Sequence, residues 1–330
     1  MQYTVVLELS LACRAYEITR PLMEGRVKLE GVSLNYVPID FPAETFRRML
    51  KHEDFHASEL SLANYLEVNE SERGKFTAIP IFPSRSFRHS YIFVNKSSGI
   101  VKPEQLAGKS VGIFPGYFIT AAVWMRGILK DEYDVRPSQM RWFAAKEERV
   151  NRSPPKDVEL QVIPPGESIF DLLIQGRVDA LISPLIPQTL LENPNVSRLF
   201  EDYLAKEQEY FRRTGIFPIM HTVAIRGKVL EENPWVAASL AKGFQASKQL
   251  YYEDRDESIG DLHAFPWIRA QYESDRKIFG KDPYPYGLKA NRKTLQTFIS
   301  YAIDQGAVSS HVEPEQLFAE NTVDSYYMKY

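Results

Sequence analysis

Along this chain, short apolar runs of strand type alternate with helix-type segments, and that alternation points to an α/β architecture. Tyr3–Leu9 reads as a strand, Tyr16–Glu24 as a short helix ending at Gly25, and Ser33–Ile39 as a second strand with Leu34, Tyr36 and Pro38 on alternate positions. Pro42 opens a helix through Lys51, because proline in the first turn forfeits no hydrogen bond. Phe55–Ser58 is a third strand, followed by a helix over Leu62–Val68. The proline-bearing stretch Lys75–Ser86 reads as a linker into a strand at Ser90–Asn95.

A new unit is expected from Pro103, with strands at Ser110–Phe114, Arg141–Ala144, Leu160–Ile163 and Asp179–Ser183, helices at Thr120–Leu129 and Ile169–Gln175, and a polar loop over Lys146–Lys156. Tyr203–Thr214 is a charged helix stopped by Gly215, and Met220–Ile225 is again a strand. Beyond Pro234 helices dominate, at Trp235–Tyr252, Ala270–Ile278 and Lys293–Gln305. Crossings near Phe87–Asn95 and Phe217–Ile225 would divide the chain into a discontinuous first lobe, 1–92 plus 222–330, and a second lobe, 93–221. Two such lobes would enclose a cleft of the kind small-molecule sites prefer.

Composition excludes several classes. A hydrophobic fraction of 44% and a charged fraction of 25% are those of a soluble globular protein. The net charge of -3 offers no basic footprint, so nucleic acid is not an expected partner. No apolar run is long enough to span a bilayer, so no membrane partner is expected. Cys13 is the one cysteine, which rules out an internal disulfide. The segment Met1–Leu9 lacks the basic start and apolar core of a signal peptide, so a cytoplasmic location is expected. There is no GxGxxG or GxxxxGK[ST] loop for a nucleotide. No HxH or CxxC spacing occurs, and an expected helix-to-strand transition separates His52 from His56. Glu59, His89 and His221 would together have a two-His-one-carboxylate composition, but no spacing requires a metal, and none is expected.

Candidate site residues concentrate in a few segments. In Ile79–Asn95 (IPIFPSRSFRHSYIFVN), Arg85, Arg88 and His89 interrupt apolar runs, where charge is costly unless paired or facing a ligand. Arg85 and Arg88 would clamp a carboxylate by charge-assisted hydrogen bonds, or else pair with an acid such as Glu59 or Asp40. His89 and His221 are acid/base candidates because imidazole titrates near neutrality; the alternative is a histidine bonded to backbone. Glu59, at the end of an apolar run, would move a proton or orient an arginine. Ser61 would donate to a ligand or cap the following helix. Arg14, in the turn after the first strand, would meet a carboxylate or stay solvated. The turn from Gly116 into the helix at Thr120 suits an anion, with Thr120 as donor or cap. Ser183 and Ser168 repeat that argument more weakly. Tyr117 and Phe87 would sandwich an aromatic ring or fill core.

Five segments carry a family resemblance: SELSLANYL (Ser58–Leu66), IPIFPSRSFRHSYIFVN (Ile79–Asn95), LAGKSVGIFPGYFITAAVWMRG (Leu106–Gly127), RTGIFPIMHTVAI (Arg213–Ile225) and PYPYGL (Pro283–Leu288). Together they resemble the 4,5-dihydroxyphthalate decarboxylase family. The resemblance implies a two-lobed fold of the type II periplasmic-binding-protein kind, shared with nitrate-, sulfonate- and thiamin-precursor-type solute-binding proteins. It also implies decarboxylation of a hydroxylated aromatic dicarboxylate without an organic cofactor. Such a reaction needs a cation for the retained carboxylate, assigned to Arg85 or Arg88 with Arg14. It needs proton transfer, assigned to His89, Glu59 or His221. The rival reading is a non-catalytic solute-binding protein for a small anion, since fold does not decide function. Homo-oligomerisation stays open, with the helix Tyr203–Arg213 and the aromatic tail Tyr326, Tyr327 and Tyr330 as interface or surface.

Overall fold

Two sheets, one five-stranded and one six-stranded, organise the computed structural model of this protein, which describes residues 6–146, 152–258 and 264–323. In chain order the first elements are β1 (Leu7–Cys13), α1 (Arg20–Met23), β2 (Val32–Pro38), α2 (Pro42–His52), β3 (Ala57–Ser61), α3 (Leu62–Ser71) and β4 (Phe76–Arg85). Then come β5 (Ile92–Asn95), β6 (Ser110–Ile113), α4 (Thr120–Tyr133), β7 (Arg141–Ala144), β8 (Glu159–Val162), α5 (Ile169–Ile174), β9 (Ala180–Ile182), α6 (Gln188–Leu191) and β10 (Val196–Arg198). The chain closes with α7 (Tyr203–Thr214), β11 (Ile219–Arg226), α8 (Gly227–Glu232), α9 (Val236–Ser258), α10 (Ile268–Phe279) and α11 (Leu288–Asp304).

The chain divides into two units. One holds everything up to Arg85, then Ile219–Leu295 and the chain from Val312; the other holds Ser86–Pro218 and Gln296–His311. The division therefore falls after Arg85 and before Ile219, a few residues earlier at each crossing than 92/93 and 221/222. It also assigns residues 296–311 to the second unit. Packing explains that assignment: Phe298 lies 5.3 Å from Trp124, and Tyr301 presses on Gly127 so closely that a Cβ there would sit 2.1 Å from the ring. The tail tyrosines 326, 327 and 330, residues 147–151 of the expected loop and the start of the expected first strand lie outside the described residues.

In the first unit the strand order is β2-β1-β3-β11-β4. β1 runs parallel to β2 and β3, and β11 runs antiparallel to β3 and β4. Its core joins Leu9 and Leu11 of β1, Ile79 and Ile81 of β4 and Val223 of β11 to one stripe of α9, where Val236, Ala237, Leu240, Ala241 and Phe244 recur at helical spacing. Each large side chain so buried contributes about 1.5–3 kcal/mol. The second unit's order is β10-β5-β9-β6-β7-β8. Phe93, Ile169, Leu173 and Leu181 fill its core.

The expected linker Lys75–Ser86 is instead β4, a ten-residue strand at the sheet edge. Proline is tolerated there because an edge strand has one row of backbone groups outside the ladder. On that outer side Pro80 accepts from Gly287 N and Ala78 from Ala319 N, both at 2.8 Å. The third strand also runs further than Phe55–Ser58: Glu59 and Ser61 are inside β3, not beyond it.

Candidate functional site

Glu59 is a carboxylate with no solvent exposure in the middle of a sheet. Such a group persists only if its lone pairs are satisfied. Four donors supply this. His221 Nδ1 and the Tyr16 hydroxyl both bond Oε1. Arg14 N donates to Oε2 at 3.0 Å, and the Cys13 thiol lies 3.6 Å from the same oxygen.

Register brings these groups together. β11 pairs with β3 so that His221 faces Ser61 and Val223 faces Glu59. Alternate residues share a face, so Glu59 and His221 are diagonal neighbours. On its other side β11 slips register against β4 around His221. Irregularities of this kind re-aim side chains beside functional sites. The end of β1 brings Cys13 and Arg14 to Glu59, and the turn that follows carries Tyr16.

Burial alone would raise the Glu59 carboxyl. The charge and hydrogen bond of His221, with the bonds from Arg14 and Tyr16, outweigh it and hold the carboxyl below the usual glutamate range. Burial and the same carboxylate push the Cys13 thiol and the Tyr16 phenol well above their ordinary values, so both stay protonated as donors. The His221 side chain keeps 16% exposure while Glu59 has none. With Nδ1 engaged by the carboxylate, the imidazole presents Nε2 for proton exchange. Phe46 packs on the ring edge-on at 5.0 Å.

The other expected site residues have different surroundings. Arg14 is exposed, and its backbone rather than its guanidinium meets Glu59. Arg85 is buried, and its Nη2 bonds Asn291 Oδ1 and, at 2.9 Å, Pro285 O. It thus grips the PYPYGL segment, which Lys248 also holds through Asp282 and Tyr284 O. Burial lowers the Arg85 guanidinium to about 10. Arg88 is buried in the second unit, 4.9 Å from the Tyr91 ring centroid, and burial lowers it to about 10 as well. The acid whose charge it feels is Glu207, not Glu59 or Asp40. His89 lies between Phe200 at 5.2 Å and Tyr210 at 5.5 Å, and burial, then Lys206, lowers it to about 4.

Ser61 caps α3, accepting from Asn64 N at 3.5 Å. Thr120 is buried at the first position of α4, whose N-cap is Ile119. Tyr117 is buried beneath the Arg126 guanidinium, 3.6 Å from its ring centroid. Ser183 closes a local turn, donating to Leu185 O at 2.7 Å and accepting from Leu185 N at 3.0 Å. Ser168 caps α5. Phe87 stacks on Phe217 at 4.6 Å. Sequence reasoning misses Tyr16 and the part played by Cys13. Tyr16, expected to open a helix, instead has extended backbone ahead of a 3-10 turn over Glu17–Thr19, and its partners are distant in sequence.

Among the described residues no group of three His, Cys, Asp or Glu side chains could hold a metal ion, and no helix is long and apolar enough to cross a membrane. The solved structures that share the fold include the periplasmic aliphatic sulphonate binding protein of Escherichia coli. It has a TM-score of 0.54 at 13% identity over 94% of this chain and 91% of that one. The alkanesulfonate-binding protein of Xanthomonas axonopodis pv. citri bound to MOPS gives 0.52 at 12% identity, over 96% and 97%. These likenesses show the type II periplasmic-binding-protein-like fold. No family model matches the chain. A 4,5-dihydroxyphthalate decarboxylase of Pseudomonas putida is 33% identical over 62% of this chain and 82% of its own length. The protein of that name from Comamonas testosteroni is 33% identical over 97% of this chain and 98% of its own. With that similarity running nearly end to end through both chains, the protein belongs to the 4,5-dihydroxyphthalate decarboxylase family.

Proposed function

We propose that this protein is a carboxy-lyase that removes carbon dioxide from a hydroxylated aromatic dicarboxylate, with 4,5-dihydroxyphthalate as the leading substrate. The observation that carries the reading is the buried Glu59 carboxylate holding His221 by Nδ1, in a chain related to decarboxylases over nearly its whole length. Replacing a ring carboxylate by hydrogen consumes one proton. The site must therefore deliver that proton to carbon.

In the substrate each carboxylate lies para to a ring hydroxyl. Electron density from that hydroxyl flows to the carbon bearing the leaving carboxylate. His221, as imidazolium, gives its Nε2 proton to this carbon, and a C–H bond forms as the ring loses aromaticity. The C–C bond to the carboxylate then breaks. Its electron pair returns to the ring, and carbon dioxide departs. Glu59 keeps its charge throughout and stabilises the imidazolium, as a carboxylate does in other His-based sites. The exposed Arg14 guanidinium is assigned to the retained carboxylate. Arg85 bonds Pro285 O and Asn291 Oδ1 of its own unit and is assigned to scaffolding.

The test is to incubate the purified protein with hydroxylated benzoic and phthalic acids, following carbon dioxide release and thermal shift together. Release from 4,5-dihydroxyphthalate supports the reading. A thermal shift without release from any member would overturn it in favour of an anion-binding protein.

A further inference from the structure

Tyr16 has a geometry that a purely structural tyrosine does not need. Its hydroxyl bonds the same Glu59 oxygen as His221 Nδ1 and lies 3.4 Å from that nitrogen. Its fixation does not depend on the hydroxyl. Tyr16 N donates to Arg14 O at 2.9 Å, Tyr16 O accepts from Thr19 N at 3.0 Å and from Thr19 Oγ1 at 3.1 Å, and the ring packs against the first unit's core. The hydroxyl is therefore a separable group aimed at the same carboxylate oxygen that the imidazole uses.

We propose that Tyr16 is a positioning residue of the Glu59–His221 pair: by sharing Glu59 Oε1, its hydroxyl sets how strongly the carboxylate holds the imidazole proton. A carboxylate that accepts an extra hydrogen bond has less charge to offer its other partner. Tyr16 thus moderates the attraction between Glu59 and the imidazolium. Proton transfer from Nε2 to a carbon atom, a poor proton acceptor, is eased when that hold is moderated.

The neighbouring elements add few competing groups. Cys13 of β1 shares the other carboxylate oxygen, and Tyr36 of β2 faces Cys13 and donates to Arg14 O at 2.9 Å. From α2 the ring of Phe46 brings no charge. β4 contributes Ser84, registered opposite His221 and bonded to Tyr16. The Arg14 side chain is exposed, and its backbone N–H is what reaches Glu59. Glu59 and the groups that share its two oxygens are thus the polar surroundings of the His221 Nδ1.

The test reads His221 directly, by nitrogen NMR of labelled imidazole in the full-length protein, with the resonance assigned by its loss in His221→Gln. Removing the hydroxyl in Tyr16→Phe is expected to move the His221 midpoint upward, because Glu59 Oε1 then serves the imidazole without a competing donor. Fluorination of the tyrosine ring at position 16 strengthens the donor and moves the midpoint the other way, which also covers a Phe variant that fails to fold. Unchanged midpoints, or shifts of the same sign in both proteins, would overturn the proposal. The kinetic counterpart rests on the decarboxylase reading: kcat in Tyr16→Phe falls with little change in KM, and its pH profile moves with the NMR midpoint. NMR shifts of the stated signs in a protein that releases no carbon dioxide would sink the decarboxylase reading and leave the positioning role standing.

Discussion

Across the β11–β3 ladder His221 is registered with Ser61 while Glu59 is registered with Val223. This diagonal step lets a fully buried carboxylate reach the Nδ1 of a histidine that still meets solvent. The pair joins a partly exposed imidazole to a carboxylate that is wholly buried.

Glu59→Gln preserves the volume and removes the charge behind His221. Carbon dioxide release is expected to fall by about a hundredfold to ten-thousandfold, the usual range for loss of proton-transfer catalysis, with the circular dichroism spectrum unchanged. The same variant alters acid stability. Because Glu59 is held below its ordinary range, its contribution is complete above the unfolded value of about 4.3 and decays as pH falls through the lowered folded value. Wild type should lose this increment on acidification. Urea unfolding at a series of pH values should show a flatter acid limb for Glu59→Gln.

His221→Ala strands the Glu59 charge in the sheet without its imidazole. Removing one partner of a buried pair costs about 3–5 kcal/mol, and the partial exposure of His221 puts the expectation at the lower end. The double variant Glu59→Gln/His221→Ala should lose less stability than the two single losses added together. Strict additivity in urea melts would show that the two residues are not energetically coupled.

Arg85 and Arg14 should separate cleanly. Arg85→Met leaves Asn291 Oδ1 and Pro285 O without their guanidinium donor. It is expected to lower stability by about 2–3 kcal/mol. Arg14→Met, at an exposed position, should leave the melting temperature within a degree or two of wild type and raise KM about tenfold or more, through loss of a charge-assisted hydrogen bond. An unchanged KM would remove Arg14 from substrate binding.

His89, lowered to about 4 by burial and then Lys206, should make stability depend on mild acid. Between the unfolded value of about 6.5 and the folded value, the unfolded chain takes up a proton that the folded one refuses. Stability therefore falls as pH falls through that window, by a few kcal/mol in total. His89→Phe is expected to flatten the profile between about pH 6.5 and pH 4, and a slope equal to wild type would refute the assignment.

The alternation of element types was legible because it is local. β7 (Arg141–Ala144) and α7 (Tyr203–Thr214) have the bounds expected from periodicity, and Gly215 with φ 70° ends α7 as only a residue free of Cβ does easily. β4 was misread because its prolines forbid a central strand but not an edge strand, and edge position is a property of the sheet. The candidate list was legible as chemistry, since Glu59, His221, Arg85 and Arg88 each stand out as charge in apolar surroundings. Their partners were not. His221 and Glu59 are 162 residues apart, and Arg85 and Asn291 are 206 apart.

Sequence by itself determined the α/β class, the family and the set of polar residues that had to be paired or functional, because hydrophobic periodicity and the cost of burying charge act residue by residue. Only the tertiary structure decided that Glu59 pairs with His221 and Tyr16, that Arg85 holds a loop and that His89 packs on the rings of Phe200 and Tyr210. Strand register and helix docking choose a buried group's partner, and neither is encoded near the group itself.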